Sequence, residues 1–219
     1  MEIDSPLFKN YNSILKRMFD LILSLLFCIF ILPIIIIIIG TIIKLDSKGP
    51  IFFKQLRTGK NRNYFVLYKF RTMYHPDQEV NNNFIQAKKD DLRITKFGEF
   101  LRRTNIDELP QFINVLKGDM SIVGPRPHEI NEDKFFENLV NNYNNRYLVK
   151  PGITGWAQVN DMKGEINDIN AMQLRVEYDI WYITNWSFLL DVKIIITTAM
   201  KIIQEIIRIR RVYKEIRYT

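Results

Sequence analysis

The longest uncharged stretch of the sequence constrains the fold more than any other feature. It runs from Leu21 to Ile43 and is bounded by Asp20 and Lys44. A helix needs about 20 apolar residues to cross the hydrocarbon core of a bilayer, so this stretch is long enough. A cleaved signal peptide has a shorter apolar run that is followed by small residues, and this segment fits neither criterion. We therefore expect the chain to be held in a membrane.

Two features of this apolar stretch favour a re-entrant helix over a spanning one. Pro33 lies near its middle, and at ~1.5 Å per residue each arm reaches only about half of a bilayer. Proline lacks a backbone donor and clashes with the preceding turn, so we expect a bend there. Basic residues flank both ends and draw both towards the cytoplasm: Lys9, Lys16, Arg17, Lys44 and Lys48. Hydropathy alone leaves a single spanning helix open as the alternative.

The rest of the chain has the composition of a soluble domain with an excess of positive charge. In the whole chain of 219 residues, 31 Lys and Arg stand against 24 Asp and Glu, a formal net charge of +7. This favours an anionic partner, such as phosphate groups, an acidic lipid surface or nucleic acid. A single cysteine, Cys28, excludes an internal disulfide and a cysteine-built zinc site. Two histidines, His75 and His128, are too few for a histidine-rich metal centre.

Residue patterns predict a mostly helical α+β protein with a membrane-anchoring segment (1–46) and a cytoplasmic domain (47–219). Two runs rich in β-branched and aromatic residues flank a turn-like segment and predict a β-hairpin. Cap residues and apolar periodicity predict several helices, and one polar stretch predicts a mobile loop. The hairpin strands are Ile51–Arg57 and Tyr64–Phe70, the helices are Thr95–Arg103, Pro110–Lys117, Asn131–Arg146, Asp168–Ile183 and Phe188 to about Ile209, and the loop is His75–Asp91.

The last of these helices has two open interpretations. Apolar residues recur at helical spacing, and basic residues cluster towards its C-terminal end. A basic amphipathic helix can lie on an anionic membrane, or its apolar face can pack on the core while the basic face is solvated. We favour core packing before Lys201. The charges of Asp191, Lys193 and Lys201 argue against a second membrane span.

Asp107 and Glu108 are the most suggestive pair of residues for chemistry. They come just before Pro110, which is expected to open a helix. In that position both carboxylates can face one site, and the positive end of the helix dipole would hold them ionised. An ionised carboxylate can act as a nucleophile, and a second can bind a hard cation such as Mg²⁺. Acidic residues at a helix start are also commonly just stabilising, so the pair alone does not decide between these readings.

Basic residues elsewhere predict contacts with phosphate. Arg126 lies between two prolines, so a stiff turn presents its guanidinium, whose fork matches two phosphate oxygens. Lys69 and Arg71 alternate on the second predicted strand and should project to one face. A solvated arginine in a rigid turn is the alternative for Arg126. Aromatic residues beside Lys69 and Arg71 would also suit nucleic acid, but membrane attachment makes that less attractive.

The order of several motifs resembles one family, the bacterial sugar transferases. Within it the likeness is to the monotopic phosphoglycosyl transferases, which load a sugar phosphate onto a polyprenyl phosphate. The match runs from Lys16 to the helix after Ser187, about four-fifths of the chain. Several ordered motifs over this length make a chance similarity negligible. They are Lys16–Asp20, Lys44–Pro50, Tyr68–Met73, Asp107–Gln111, Asn114–Ser121, Val123–Pro127 and Lys150–Asn160.

The resemblance implies an enzyme of the bacterial inner membrane whose catalytic domain faces the cytoplasm. A re-entrant helix would enter one leaflet, with amphipathic helices at the interface. Asp107 would attack the sugar-proximal phosphorus of a UDP-sugar and release UMP, and undecaprenyl phosphate would then collect the sugar phosphate to initiate a cell-surface glycan. Glu108 would help to hold Mg²⁺. Arg126 matches a phosphate-binding arginine, and we infer phosphate contacts for Lys69 and Arg71.

Two positions depart from the family pattern. Leu32 precedes Pro33 where serine is common, which leaves open how the backbone is satisfied at the bend. Asp161 and Met162 follow Asn160 where Gly-Arg is frequent, so the donor is expected to differ from the commoner ones if that loop touches the sugar. The resemblance is to the minimal catalytic form of the family. We expect no nucleic-acid partner, and a homodimer is left open.

Two other functions stay open at this stage. In one, the chain is a membrane-anchored basic binding protein, the carboxylates only cap a helix and the cations bind acidic lipid. In the other, it is a glycosyltransferase that passes on only the sugar and releases UDP.

Overall fold

The structure is a computed structural model that describes residues 3–74, 91–164 and 168–216. The predicted loop His75–Asp91 lies outside the described residues except for its last residue. The described chain is mostly helical, as predicted, with two small sheets. Its helices are α1 (Asn10–Leu26), α2 (Leu32–Asp46), α3 (Lys96–Thr104), α4 (Gln111–Lys117), α5 (Ile130–Phe136), α6 (Trp156–Val159), α7 (Ile169–Thr184) and α8 (Phe188–Ile216). Its strands are β1 (Phe52–Thr58), β2 (Tyr64–Phe70), β3 (Ser121–Val123) and β4 (Gly152–Thr154).

The apolar stretch forms one long helical run that continues through Pro33. The interruption of the helix that was expected there is absent from this described stretch. A π-helical segment, Phe27–Ile31, joins α1 to α2, and Pro33 is the second residue of α2. The N–H of Leu32 donates to the carbonyl of Phe27, five residues back. Wider turns of this kind absorb a local mismatch in the ladder, so the missing proline donor is accommodated without leaving helical geometry. Within the described residues, 10–46 is the one helical run long and apolar enough to cross a membrane.

The first arm of this run is attached to the rest of the protein by charged and aromatic side chains. Arg17 donates to the carbonyls of Val115 (2.7 Å) and Leu116 (3.2 Å) in the last turn of α4. A cation at that end satisfies carbonyls that have no partner within the helix. Near the π segment, Phe27 stacks on Phe112 of α4 with ring centroids 4.1 Å apart. The arm therefore packs along α4.

The second arm is attached by Arg71, which is buried just after β2. Its guanidinium donates to the carbonyl of Pro50 (2.6 Å) and to both the hydroxyl (2.6 Å) and the carbonyl (2.9 Å) of Ser47. Longer bonds reach the carbonyls of Met73 (3.3 Å) and Ile43 (3.5 Å). Arg71 therefore fastens the C-terminal end of α2 to the hairpin.

Both sheets are two-stranded, and the first confirms the predicted hairpin. β1 and β2 pair antiparallel, with Phe52 opposite Phe70. β3 and β4 pair in parallel, an arrangement that needs a close approach of two backbones. A Cβ on Gly152 would lie 2.1 Å from the nitrogen of Gly124, and one on Gly124 would lie 2.5 Å from the carbonyl oxygen of Lys150. Glycine at both positions lets the segment after β3 cross the start of β4.

Three predicted helix starts are confirmed, and one predicted helix is wrong. Side chains at the starts of α3, α7 and α8 accept a bond from the N–H three residues on: Thr95 at 2.9 Å, Asp168 at 2.8 Å and Ser187 at 3.2 Å. The expected surface helix Asn131–Arg146 ends as α5 at Phe136. A 3₁₀ turn, Tyr143–Leu148, follows, because Asn142 is left-handed and the side chain of Arg146 turns inward to pair with α7.

The last helix runs on to Ile216 and is only partly buried. Ile194 and Ile209 are buried, whereas Ala199 and Ile206 are exposed. A row of apolar side chains remains exposed along α8: Leu189, Ile196, Met200, Ile203 and Ile207.

Replacement of Arg71 is predicted to loosen the attachment of α2. Arg71→Met removes the guanidinium and leaves several carbonyls near the end of α2 without a donor, which costs about 2–4 kcal/mol of unfolding free energy. Thermal unfolding in detergent should show a clearly lowered Tm. The exposed Arg210→Met serves as the matched control and should leave the Tm unchanged. An unaltered Tm for Arg71→Met would contradict this role.

Candidate active site

Four of the five residues predicted for the site meet in one cluster. Asp107 and Glu108 lie in a 3₁₀ turn, Ile106–Glu108, between α3 and α4, and both are buried. The ammonium of Lys69, on β2, lies 2.7 Å from Oε1 of Glu108 and 4.0 Å from Oδ2 of Asp107. The guanidinium of Arg126 binds Glu108 in a fork, with Nη2 at 2.8 Å from Oε1 and Nη1 at 3.2 Å from Oε2. Two cations thus hold one carboxylate.

The acidic turn lies directly beside the apolar helix. Asn105 adopts a left-handed conformation (φ 56°) that ends α3 and redirects the chain into the 3₁₀ turn. The side chains of Ile106 and Leu109 point into a hydrophobic cluster with apolar residues of α2. The carboxylates therefore sit next to the segment that is apolar enough to enter a membrane.

The two carboxylates have opposite pKa shifts. Burial raises the pKa of Asp107 to about 6; Lys69 opposes this shift and the charge of Glu108 adds to it. Burial also disfavours the ionised form of Glu108, but Arg126 and Lys69 overcome it and hold the pKa of Glu108 below its ordinary value. The helix dipole was expected to hold both carboxylates ionised. The pKa of Asp107 nevertheless rises, because burial outweighs the nearby positive charge.

The turn that presents Arg126 is held through its backbone. Each of the three carbonyls of residues 125–127 accepts a hydrogen bond. The donors, in chain order, are the N–H of Gly152 (2.9 Å), the guanidinium of Arg146 (2.7 Å) and the guanidinium of Arg57 (3.4 Å). The stiffness expected from the two prolines is therefore reinforced by long-range contacts.

Several buried basic residues that support the site were not predicted. Arg146 is almost fully buried and pairs with Asp179 of α7 at 2.8 Å. Arg175, also on α7, donates to backbone carbonyls of the loop after α6. The sequence does contain a signal for the burial of Arg175 and Asp179. At helical spacing, both share a face of α7 with the apolar residues Met172 and Val176, so these charges are buried among core residues. Sequence analysis treated that face as an ordinary helix.

His128 lies inside this basic cluster and is uncharged. It is buried, Nδ1 contacts the hydroxyl of Tyr143 (2.7 Å) and a nitrogen of Arg146, and Nε2 is 3.3 Å from Arg175. Burial and the surrounding guanidinium groups hold the pKa of His128 well below its usual value. A neutral imidazole is what allows so many cations to converge there.

Arg71 is not brought into contact with the acidic pair. Among the described residues, its hydrogen bonds go to residues 43–50 and to Met73. Its predicted phosphate contact stays a prediction, while its observed contacts give it a structural task at the end of α2.

The acidic pair offers a divalent cation few protein ligands. The described residues contain no group of three or more Asp, Glu, His or Cys side chains placed to hold a metal. Glu108 uses three of its roughly four acceptor positions on Lys69 and Arg126, and one remains on Oε2. Mg²⁺ commonly takes one or two carboxylates and completes its shell with water and substrate phosphates. Glu108 and Asp107 fit that kind of site.

Comparison with known proteins assigns the chain to a family. Residues 11–205 match the family model described as bacterial sugar transferase, so the chain belongs to that family.

Three relatives show what the chain resembles. A UDP-glucose:undecaprenyl-phosphate glucose-1-phosphate transferase of Klebsiella pneumoniae is 47% identical over 198 residues, 90% of this chain and 42% of the relative. An exopolysaccharide production protein, PSS, of Rhizobium leguminosarum bv. phaseoli is 41% identical over 190 residues, 85% of this chain and 94% of the relative. A UDP-N-acetylgalactosamine-undecaprenyl-phosphate N-acetylgalactosaminephosphotransferase of Aeromonas hydrophila is 42% identical over 164 residues, which is 75% of this chain and 38% of the relative. The chain thus spans about two-fifths of the length of the first and third.

The two carboxylates are predicted to affect stability in opposite directions. The pKa of Asp107 rises from 3.8 to about 6 on folding. Ionisation of Asp107 therefore lowers the free energy of unfolding, and this loss increases as the pH rises from 3.8 to about 6 and is constant above that. Asp107→Asn should therefore raise the Tm at pH 7.5, without divalent cations, by about 2–4 °C for each kcal/mol regained. Glu108→Gln should lower the Tm, because it removes the charged carboxylate that Lys69 and Arg126 both bind. Equal shifts of the same sign would contradict these assignments.

Proposed function

We propose that the chain transfers a sugar 1-phosphate from a UDP-sugar to undecaprenyl phosphate and releases UMP, the initiating step of a cell-surface glycan. The observation that carries this proposal is the buried acidic pair, in which one carboxylate is clamped by two cations and its neighbour is left uncommitted. Membership of the bacterial sugar transferases and the names of the relatives support the reaction class. The particular sugar is left to experiment.

Asp107 is the nucleophile in this proposal. In the described part of the chain its carboxylate accepts no hydrogen bond, and its ion-pair contact is the 4.0 Å approach of Lys69. With a pKa of about 6, the carboxylate is ionised at neutral pH, but its charged form is less stabilised than that of an ordinary aspartate. Glu108 is unsuited to attack, because Lys69 and Arg126 occupy most of its lone pairs.

The reaction takes two displacements at one phosphorus. A carboxylate oxygen of Asp107 bonds to the sugar-proximal phosphorus while the bond to the bridging oxygen breaks, and UMP leaves with that electron pair. An oxygen of undecaprenyl phosphate then bonds to the same phosphorus, and the aspartyl bond breaks to restore the carboxylate. The covalent intermediate means that two bulky anions need not occupy the site together.

Positive charge offsets the repulsion between the carboxylate and the diphosphate. Lys69 and Arg126 lie beside the pair on the side of Glu108. A Mg²⁺ ion held by Glu108 with the donor phosphates would neutralise further negative charge. Their common role is to lower the cost of bringing an anionic nucleophile to an anionic substrate.

We further propose that residues 1–46 anchor the protein in the bacterial inner membrane and that residues 47–219 form a catalytic domain on the cytoplasmic side. The apolar helix would be re-entrant, because both of its ends attach to the same domain. Arg17, before the apolar stretch, binds α4, and Arg71 binds the end of α2. The exposed apolar row of α8 would lie on the same membrane surface.

Cysteine labelling tests this topology. In a Cys28→Ser background, Lys9→Cys reports the N-terminal flank and Lys60→Cys reports the domain. We expect an impermeant maleimide to miss both in intact cells and to label both after permeabilisation. Labelling of Lys9→Cys alone in intact cells would indicate a spanning helix.

The proposed reaction is separated from its rivals by the nucleotide released. Membranes containing the protein are supplied with undecaprenyl phosphate and a panel of UDP-sugars, with and without Mg²⁺. Labelled lipid together with UMP supports the proposal. Release of UDP would indicate simple glycosyl transfer, and no turnover with any donor would favour a binding protein.

Asp107→Asn is predicted to abolish UMP release while the protein still folds, because the amide is not a nucleophile. The exposed Asp4→Asn is the matched control and should keep full activity. Intact-protein mass spectrometry of the wild type with donor alone should show the mass of one sugar phosphate added, and Asp107→Asn should not. Product formation without an adduct, or substantial activity of Asp107→Asn, would remove Asp107 from this role.

A further inference from the structure

A third cation reaches the acidic turn from the loop between α6 and α7. The ammonium of Lys163 donates to Oδ1 of Asn105 at 3.4 Å, two residues before Asp107. The side chain of Lys163 is otherwise exposed to solvent, so a ligand can reach it.

The backbone on both sides of Lys163 is held by one buried side chain. Arg175 donates from Nε to the carbonyl of Met162 (2.9 Å) and from Nη2 to the carbonyl of Gly164 (2.8 Å). These bonds fix the two neighbouring peptide groups, so the direction in which Lys163 projects is set by the core. Arg175 is therefore a positioning residue for Lys163.

The start of the same loop is also anchored. Asp161 adopts a left-handed conformation (φ 66°), which is uncommon for a residue other than glycine. Its carboxylate pairs with Lys201 of α8 at 2.5 Å. The loop is thus tied to α7 and α8 at once.

Among the residues that the structure describes, Lys163 differs from the other two cations in having no acidic partner. Lys69 and Arg126 are both engaged by Glu108, whereas no ion pair among residues 3–74, 91–164 and 168–216 includes Lys163. Partial burial lowers the pKa of Lys163, Glu108 raises it and Arg126 lowers it, so the ammonium lies within electrostatic reach of the site. Its charge is available to a ligand.

The chemistry needs positive charge at two separated places. Displacement at phosphorus puts the attacking and leaving oxygens on opposite sides of that atom, and the departing phosphate gains a negative charge. Lys69 and Arg126 approach the acidic turn at Glu108, while Lys163 approaches it at Asn105. The two groups of cations therefore contact different residues of the same turn.

We propose that Lys163 binds the phosphate that leaves with UMP, while Lys69 and Arg126 serve the phosphate that is attacked. This assignment rests on the proposed function. It makes Lys163 a substrate-binding residue common to all UDP-sugar donors, because the contact is with the nucleotide and not with the sugar.

Binding of UMP tests the assignment directly. Calorimetry in detergent compares the wild type with Lys163→Ala, Lys163→Arg and the exposed control Lys134→Ala. We expect Lys163→Ala to weaken UMP binding about tenfold, as for the loss of one charge-assisted hydrogen bond. Lys163→Arg should retain most of the affinity and Lys134→Ala all of it.

Steady-state kinetics give a second readout. Lys163→Ala should raise KM for the donor and also KM for undecaprenyl phosphate, since in-line displacement brings the acceptor oxygen to the face of the phosphorus that UMP has left, opposite Asp107. UMP affinity equal to that of the wild type, or an effect confined to the acceptor, would overturn the assignment. Failure of the wild type to release UMP would instead overturn the proposed function, so the two failures are distinguishable.

Discussion

The clamp on Glu108 is the interaction on which the site depends. One buried carboxylate binds a lysine from the hairpin and an arginine from the turn after β3, so it joins the two sheets of the protein at one point. Buried charges are tolerated when they are paired and hydrogen-bonded, and here each member satisfies the others. Because the clamp occupies most of the acceptor positions of Glu108, the adjacent Asp107 is the member of the pair that we propose to react.

A second constraint is the junction between the apolar helix and the domain. Charged side chains of both partners form this junction. From the helix, Arg17 donates to a carbonyl of α4 and Asp20 accepts the N–H of Ile122 at 3.0 Å. From the domain, Arg71 donates to a carbonyl at the end of α2. The acidic turn packs on the helix through Ile106 and Leu109. A segment that is apolar enough to enter a membrane therefore sits beside the carboxylates, which suits the proposed reaction between a water-soluble donor and a lipid acceptor.

The excess of positive charge has two different uses. Some cations stabilise the protein itself. Three arginines bind backbone carbonyls and hold the Arg126 turn and the Lys163 loop in place: Arg57, Arg146 and Arg175. Others face the site and offset negative charge there. Net charge alone does not separate the two, since burial and partners decide which lysines and arginines remain available for an anion.

What the sequence determined by itself is local. The apolar stretch, the hairpin, the capped helices and the acidic pair before α4 follow from patterns within a few residues, because turns, caps and periodicity are short-range. The family motifs also pointed to Asp107, Glu108, Lys69 and Arg126 as one site.

Tertiary structure alone decided the rest. It turned Arg71 towards the end of α2, buried Arg146 against α7 and gave the two carboxylates opposite pKa shifts. Each outcome depends on desolvation and on partners distant along the chain. Such contacts exist only once the chain has folded, so no local pattern encodes them.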